Sequence, residues 1–185
     1  MAANANNALF FLVTTLFELY LGAVLLRILL AWVRADFYNP LSQLVWKLTQ
    51  PVIAPLTRVV PRWRRLDTAA LALLTVLALL YIQVVCSLVN ISVGGLSWIW
   101  FALLKLVLLL VGLYTLSLFA QAILSWVGPG INNPAANILF SVNEPLLRPV
   151  RRVVPPIANL DLSPLFLILA LQVVSMLIPL PGIFR

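Results

Sequence analysis

Glu18, Gln83, Lys105 and Gln121 are polar side chains inside long apolar runs. An ionisable group in hydrocarbon is costly, so it is kept either for pairing or for moving charge. Glu18 and Lys105 have opposite sign and similar depth, and Gln83 reaches that depth from the opposite direction. The three are expected to form one polar cluster. Such a cluster can join helices by hydrogen bonds or form part of an ion path. Arg27, nearer the end of its run, is expected to snorkel towards the headgroups.

Other chemistry is poorly provided for. There is no histidine, which removes imidazole metal sites, histidine-ligated haem and histidine acid–base catalysis. The single cysteine, Cys86, lies mid-run and offers one chain no disulfide or thiolate cluster. The expectation is a protein that is not an enzyme, with no catalytic, cofactor-binding or metal-binding residues. Asp67 and Asp161 each precede an apolar run, where a carboxylate meets the positive end of a helix and can cap free N–H groups. They could also pair with Arg65 or Arg152. Asp161-Leu162-Ser163-Pro164 adds a Ser cap and a proline at the first helical position, so Asp67, Asp161, Ser163 and Pro164 are read as structural helix-start residues.

The elements that must position these residues are membrane helices. The chain is 63% hydrophobic and 9% charged, whereas a soluble domain is about a quarter charged. Apolar runs at about 9–32, 68–92, 98–127 and 162–180 predict four spans. Backbone in lipid must satisfy its own hydrogen bonds, so each is a helix. The sequence also repeats 94 positions on. Leu30-Ala31-Trp32-Val33 returns as Leu124-Ser125-Trp126-Val127, and Arg58-Val59-Val60-Pro61 as Arg152-Val153-Val154-Pro155. Between 27–80 and 121–174 about 16 of 54 positions are identical. The expected organisation is a first repeat, 1–92, and a second, 93–185, running parallel.

Each repeat carries a long connector. Asn39-Pro40, and Asn133-Pro134 after it, read as cap and first residue of a short amphipathic helix. Its apolar face is expected to hold Leu41, Leu44, Val45 and Leu48 in the first copy, and Ala135, Ile138, Leu139 and Val142 in the second. Pro51, Pro55 and Pro61, matched by Pro145, Pro149 and Pro155, are expected to cut the rest of each connector into pieces of one or two turns. Those pieces would lie at the interface or re-enter the membrane.

Nine of the twelve basic residues fall in these two connectors. Arg58, Arg62, Arg64 and Arg65 in the first, and Arg148, Arg151 and Arg152 in the second, are candidate lipid- or partner-binding residues. Because Pro149 splits the second set, the three arginines are not expected on one regular helix. The positive-inside rule places both connectors in the cytoplasm and both termini outside. Trp32 and Trp126 fall at the expected cytoplasmic exits, and Trp98 and Trp100 at the outer entry. Arg185 runs against the rule. Interleaved aromatics on a soluble basic domain are missing, so no nucleic-acid partner is expected. The expected partners are membrane lipids and a protein partner or a second copy.

The spacing Pro-x3-Pro-x2-Arg-x2-Pro-x5-Asp-x-Ser-Pro over 145–164, with Trp-x6-Asn-Pro upstream, resembles the signature of the YggT, or YlmG, family of small bacterial membrane proteins. The first half departs from it at Thr68-Ala69-Ala70. The resemblance covers both halves and implies the duplicated four-helix form, an inner-membrane location, and no established enzymatic activity. It also implies links to osmotic or potassium tolerance, to cell division and nucleoid or thylakoid organisation, and, for a plastid relative, to haem attachment. It carries over no catalytic residues. The expectation is therefore an all-α, four-span membrane scaffold or assembly factor that uses basic, proline-rich cytoplasmic loops. The alternative is a channel or transport component in ion or osmotic balance.

Overall fold

A computed structural model describes residues 2–60, 67–127, 134–154 and 161–185. Among these the regular elements are all helical: α1 (Ala2–Val33), α2 (Pro40–Leu56), α3 (Thr68–Val89), α4 (Leu96–Val127), α5 (Pro134–Val153) and α6 (Ser163–Leu177), followed by a 3-10 turn, Gly182–Phe184. The expectations for Arg62, Arg64, Arg65, Pro61, Pro155, Asn133 and the Trp126 side chain lie outside the described residues.

Among the described residues three segments are, by length and composition, long and apolar enough to cross a membrane, Asn6–Val33, Thr68–Val89 and Leu96–Leu124. The expected fourth span, 162–180, contracts to the 15 residues of α6. At 1.5 Å per residue α6 is about 22 Å long, short of a hydrocarbon core of roughly 30 Å. Pro179 and Pro181 follow it, and the residue before a proline is pushed out of helical geometry. Arg185 closes this end: its guanidinium donates to the Ser175 and Ile178 carbonyls at 3.0 Å each. The cation that runs against the charge rule thus serves carbonyls that a helix C-terminus leaves free.

α3 is the most buried of the three long apolar helices and packs on both α1 and α4, which also touch each other. Its buried face sets Ala69, Ala70 and Ala78, all fully buried, among larger side chains such as Leu73, Leu74, Tyr81 and Ile82. Small residues let helix backbones approach where lipid supplies no hydrophobic drive between helices. α1 packs on α2 and α3, and α4 packs on α5 and α6. α2 also touches α5, under a second apolar cluster that includes Leu30, Val45, Tyr114, Ile138 and Val142.

α2 starts as its sequence requires. Asn39 caps it by accepting from Leu41 N at 3.0 Å, with Pro40 at the first position. The same side chain donates to Pro134 O at 2.7 Å, joining the starts of α2 and α5. The buried face is not the expected one. Ser42, Val45, Thr49 and Ile53 turn inward, while Leu41, Leu44 and Leu48 stay exposed. In α5, Ile138 and Val142 are buried as expected, together with Ala136, Asn143 and Leu147.

The prolines do not break these helices. α2 continues through Pro51 and Pro55, and α5 through Pro145 and Pro149. The reason is spacing. A proline removes the bond to the carbonyl four residues back, and prolines four apart remove two bonds from the same side. All four prolines are exposed, as are Lys47 and Ser141, whose carbonyls are released. Water or headgroups can serve those carbonyls, while the opposite side of each helix stays packed and intact.

Candidate functional site

Three polar constellations hold the helices together. The first is Glu18, Lys105 and Tyr81. Lys105, on α4, donates to Glu18 Oε1 on α1. Tyr81 Oη, on α3, donates to the same oxygen at 3.1 Å, and Lys105 Nζ lies 3.3 Å from Tyr81 Oη. The ammonium also sits 4.5 Å from the Tyr81 ring centroid, within cation–π range. Three helices are thus tied at one carboxylate oxygen. Gln83 does not take part. Two residues from Tyr81 on a helix it faces about 200° away, and it is exposed beside Asn90 at the end of α3. Tyr81 is the member that the sequence reading misses. The signal for it is its place on the Ala78–Val85 face of α3, four residues before Val85 and three after Ala78.

The second constellation centres on Arg27. Its guanidinium does not snorkel but turns into the bundle. Nη2 meets Asp67 Oδ2 at 3.1 Å, and Nη1 donates to Thr49 Oγ1 at 3.0 Å. Asp67 also caps α3 by accepting from Ala70 N at 3.2 Å. Its cation partner is therefore Arg27. With two anion and hydroxyl partners within reach, the arginine gains more from the interior than from the surface.

The third lies at the matching positions of the second half. Gln121 stands 94 residues after Arg27, and Asn143 the same distance after Thr49. Asn143 Nδ2 donates to Gln121 Oε1 at 2.8 Å, and Ser117 Oγ donates to Asn143 Oδ1 at 2.6 Å. The same two positions thus tie the first two helices of each half, with an arginine–threonine bond in one and an amide pair in the other. Because Gln121 carries no charge, Asp161 takes its cation from α5 instead. Arg151 donates through Nε to Asp161 Oδ2 and through Nη1 to Glu144 Oε2, both at 2.8 Å.

Asp161 also accepts from Ser163 N at 3.0 Å. Ser163 is the first residue of α6 and not its cap; Leu162 precedes it, so the helix starts one position earlier than expected and Pro164 falls second. Partial burial works to raise the Asp161 pKa. Hydrogen bonds from Ser163 and Arg151, with the arginine's charge, outweigh it and leave the carboxyl below its ordinary value. A depressed folded-state pKa contributes stability above the unfolded value, near 4, and loses it as pH falls through the folded value. Asp161→Asn is expected to destabilise at pH 7, with the difference from the parent shrinking as pH falls below the ordinary carboxylate range; thermal unfolding in detergent, scanned from neutral to acid pH, checks it.

The arginines divide by role. Arg148, Arg151 and Arg152 do lie on one helix, because α5 continues through Pro149. Spacings of three and four put them on one face. Arg151 is held by its two carboxylates, whereas Arg148 and Arg152 are exposed and have no ion-pair partner among the described residues. Arg58 is exposed just beyond the end of α2.

Between α1 and α4 lies a cavity of about 820 Å³, apolar over most of its wall and open on one side. Glu18 and Lys105 stand at one end of it, and Val45 and Ile138, from α2 and α5, at the other.

The family described as CCB3/YggT matches residues 6–89 and 100–181. An uncharacterized YggT protein of Escherichia coli (strain K12) is 41% identical over 171 residues, covering 92% of this chain and 88% of that one. An uncharacterized protein of Pseudomonas aeruginosa is 39% identical over 176 residues, covering 94% and 89%. Another, from Vibrio alginolyticus, is 40% identical over 173 residues, covering 92% and 93%. No solved structure matches. Matching over both halves, and with relatives of nearly its own length, the chain belongs to the CCB3/YggT family.

Proposed function

We propose that this chain is a non-enzymatic scaffold or assembly factor of the bacterial inner membrane, built as two parallel repeats of two spans. In this reading α6 is the fourth span, both termini face out, and α2 and α5 lie at the cytoplasmic surface to hold anionic lipid or a protein partner. The observation that carries it is the pair of clamps, Arg27–Thr49 and Gln121–Asn143. Each grips the inner face of a surface helix and leaves its outer face free. The free faces combine exposed apolar side chains, such as Leu48, Val52 and Phe140, with exposed Lys47, Arg148 and Arg152. An amphipathic helix of that composition suits a headgroup boundary. Repetition of the clamp positions, of the helix pairings and of the family match supports the two-repeat arrangement. The transport reading has Glu18 and Lys105 as its charges; their direct pairing beside an apolar cavity favours the scaffold.

Arg148 and Arg152 give the test, because they are not committed inside the protein. Arg148→Gln/Arg152→Gln is expected to weaken binding of anionic lipid to the detergent-solubilised protein several-fold at low salt, by about 1 kcal/mol per charge, with the difference shrinking at high salt. The matching Lys pair separates bulk charge from shaped recognition. Lysine keeps the charge and loses the planar fork, so full recovery by Lys removes specific docking from the proposal. Unchanged anionic-lipid binding by the Gln pair removes α5 as a contact surface.

Orientation is tested separately in a Cys86→Ser background with an impermeant thiol reagent on intact spheroplasts. Asn4→Cys and Ser92→Cys are expected to react, and Lys47→Cys and Arg152→Cys only after lysis. The reverse pattern inverts the protein in the membrane.

A further inference from the structure

The two surface helices finish in the same way. Arg58-Val59-Val60 follows α2, and Arg152-Val153-Val154 stands at the end of α5, 94 positions later. Val60 N donates to Leu56 O at 2.8 Å and Val154 N to Val150 O at 2.9 Å, so both copies close on the same backbone bond. Exposure repeats as well. In each copy the arginine and the first valine are exposed and the second valine is half-buried. Val59 is 79% exposed and Val153 81%. Packing within the fold does not account for an apolar side chain left so open beside a cation, twice in one chain.

The chain has no anion for these two arginines. It carries five carboxylates. Glu18 is paired with Lys105, Asp67 with Arg27, and Glu144 and Asp161 with Arg151. The fifth, Asp36, accepts from Tyr38 N at 2.9 Å. Any counter-charge for Arg58 and Arg152 therefore comes from outside the chain.

The surroundings of the two tips select the kind of anion. They differ between the copies: Lys47 is matched by Ser141, Ala54 by Arg148 and Thr57 by Arg151. A stable protein contact buries roughly 800 Å² on each side, so a partner protein or a second copy would read those larger, unlike surfaces. What repeats is only one cation and one apolar side chain. That is enough for a phospholipid, whose phosphate takes the planar donor fork of arginine and whose first acyl carbons take the valine. With the two repeats parallel, one leaflet supplies lipid to both tips.

We infer that Arg58–Val59 and Arg152–Val153 are a matched pair of headgroup sites for anionic phospholipid. Each guanidinium donates to a lipid phosphate, and each valine enters the acyl layer beneath it. The inference rests on the placing of α2 and α5 at one membrane surface, proposed above, and adds which residues reach the lipid and how.

The test is depth measurement with spin labels. Val59→Cys and Val153→Cys are made singly in a Cys86→Ser background of the full chain. Each is labelled with a nitroxide and reconstituted in vesicles of phosphatidylethanolamine and phosphatidylglycerol. Collision with oxygen, which partitions into lipid, is compared with collision with a water-soluble nickel chelate. Leu48→Cys and Phe140→Cys report the outer faces of α2 and α5 in the same way. Both tip labels are expected to favour oxygen. Arg58→Gln is expected to lower that preference several-fold at Val59, leaving Val153 unchanged, and Arg152→Gln to do the reverse. Replacing phosphatidylglycerol with phosphatidylcholine is expected to lower it at both tips, which keeps the test open if an arginine variant does not accumulate. Tip labels in water, with the Leu48 and Phe140 labels in lipid, overturn the sites and leave the helix placement standing. All four labels in water overturn that placement as well. Tips in lipid that ignore both the arginine changes and the lipid charge are apolar anchors only, which overturns the headgroup assignment. A response at one tip alone overturns the matched pair.

Discussion

Lys105→Met is expected to destabilise the protein by about 3 kcal/mol, the lower end of the cost of removing one partner from a buried ion pair, because the Glu18 side chain left behind is 37% exposed. The Lys105 side chain is 4% exposed and its ammonium is shared between Glu18 and Tyr81. Without it, the Glu18 carboxylate keeps one hydrogen bond, from Tyr81, and no counter-charge on a long apolar helix. Glu18→Gln is expected to fall between this variant and the parent, since the amide oxygen still accepts from Lys105 and Tyr81 but leaves the ammonium unneutralised. Glu18→Gln/Lys105→Met removes both charges and is expected to recover most of the loss, because two neutral groups carry no ionic desolvation cost. Unfolding by titrated denaturing detergent ranks the four proteins. A double variant as unstable as Lys105→Met would mean that the pair contributes packing and not charge compensation. A double variant that accumulates normally but loses ion-dependent tolerance of osmotic stress would turn the reading from scaffold to transport.

The second large effect concerns Arg27. Arg27→Gln is expected to cost about 3 kcal/mol or more, because Asp67, only 13% exposed, loses its cation and Thr49 its donor. The second half shows how the same position works with glutamine. There Asn143 replaces the threonine, and Arg151, equivalent to Thr57, supplies the charge for the aspartate. Arg27→Gln/Thr49→Asn/Thr57→Arg transplants that solution and is expected to return most of the stability lost by Arg27→Gln alone. Thermal unfolding in mild detergent measures it. A triple variant no better than the single one would show that equivalent sequence positions in the two halves do not share geometry closely enough for exchange.

Much of the helical framework is readable in the residues themselves. Uninterrupted leucine-rich runs give α1, α3 and α4 with ends displaced by a few residues, and Asn39-Pro40 and Asp67 announce helix starts by their chemistry. Reasoning from single residues fails for effects that belong to a packed surface. Proline reads as a breaker at Pro51 and Pro145, yet its cost depends on whether the released carbonyl is exposed, and that is fixed by tertiary packing. Gln83 joins the Glu18 cluster only if depth is the sole criterion; depth fixes position along a helix and not the side it faces. The clamps are legible in a way that single-residue reading overlooks. Positions 27 and 121, and positions 49 and 143, are polar in both copies while their identities change, as expected of two sites that must bond to each other and not of residues kept one by one.

The separation of Glu18 from Lys105 along the chain has a consequence in time. A ribosome adds about 5–20 residues per second, so the 87 residues between them take roughly 4–17 s to make. Arg27 waits for Asp67 through only 40 residues, about 2–8 s at the same pace. The first half can therefore close its own ion pair while the second is still being synthesised, but its carboxylate at Glu18 has no cation until α4 arrives. During that interval α1 and α3 form an incomplete intermediate with an acidic group waiting in or near lipid, and the arrival of Lys105 ends the wait by joining the late half of the protein to the early one.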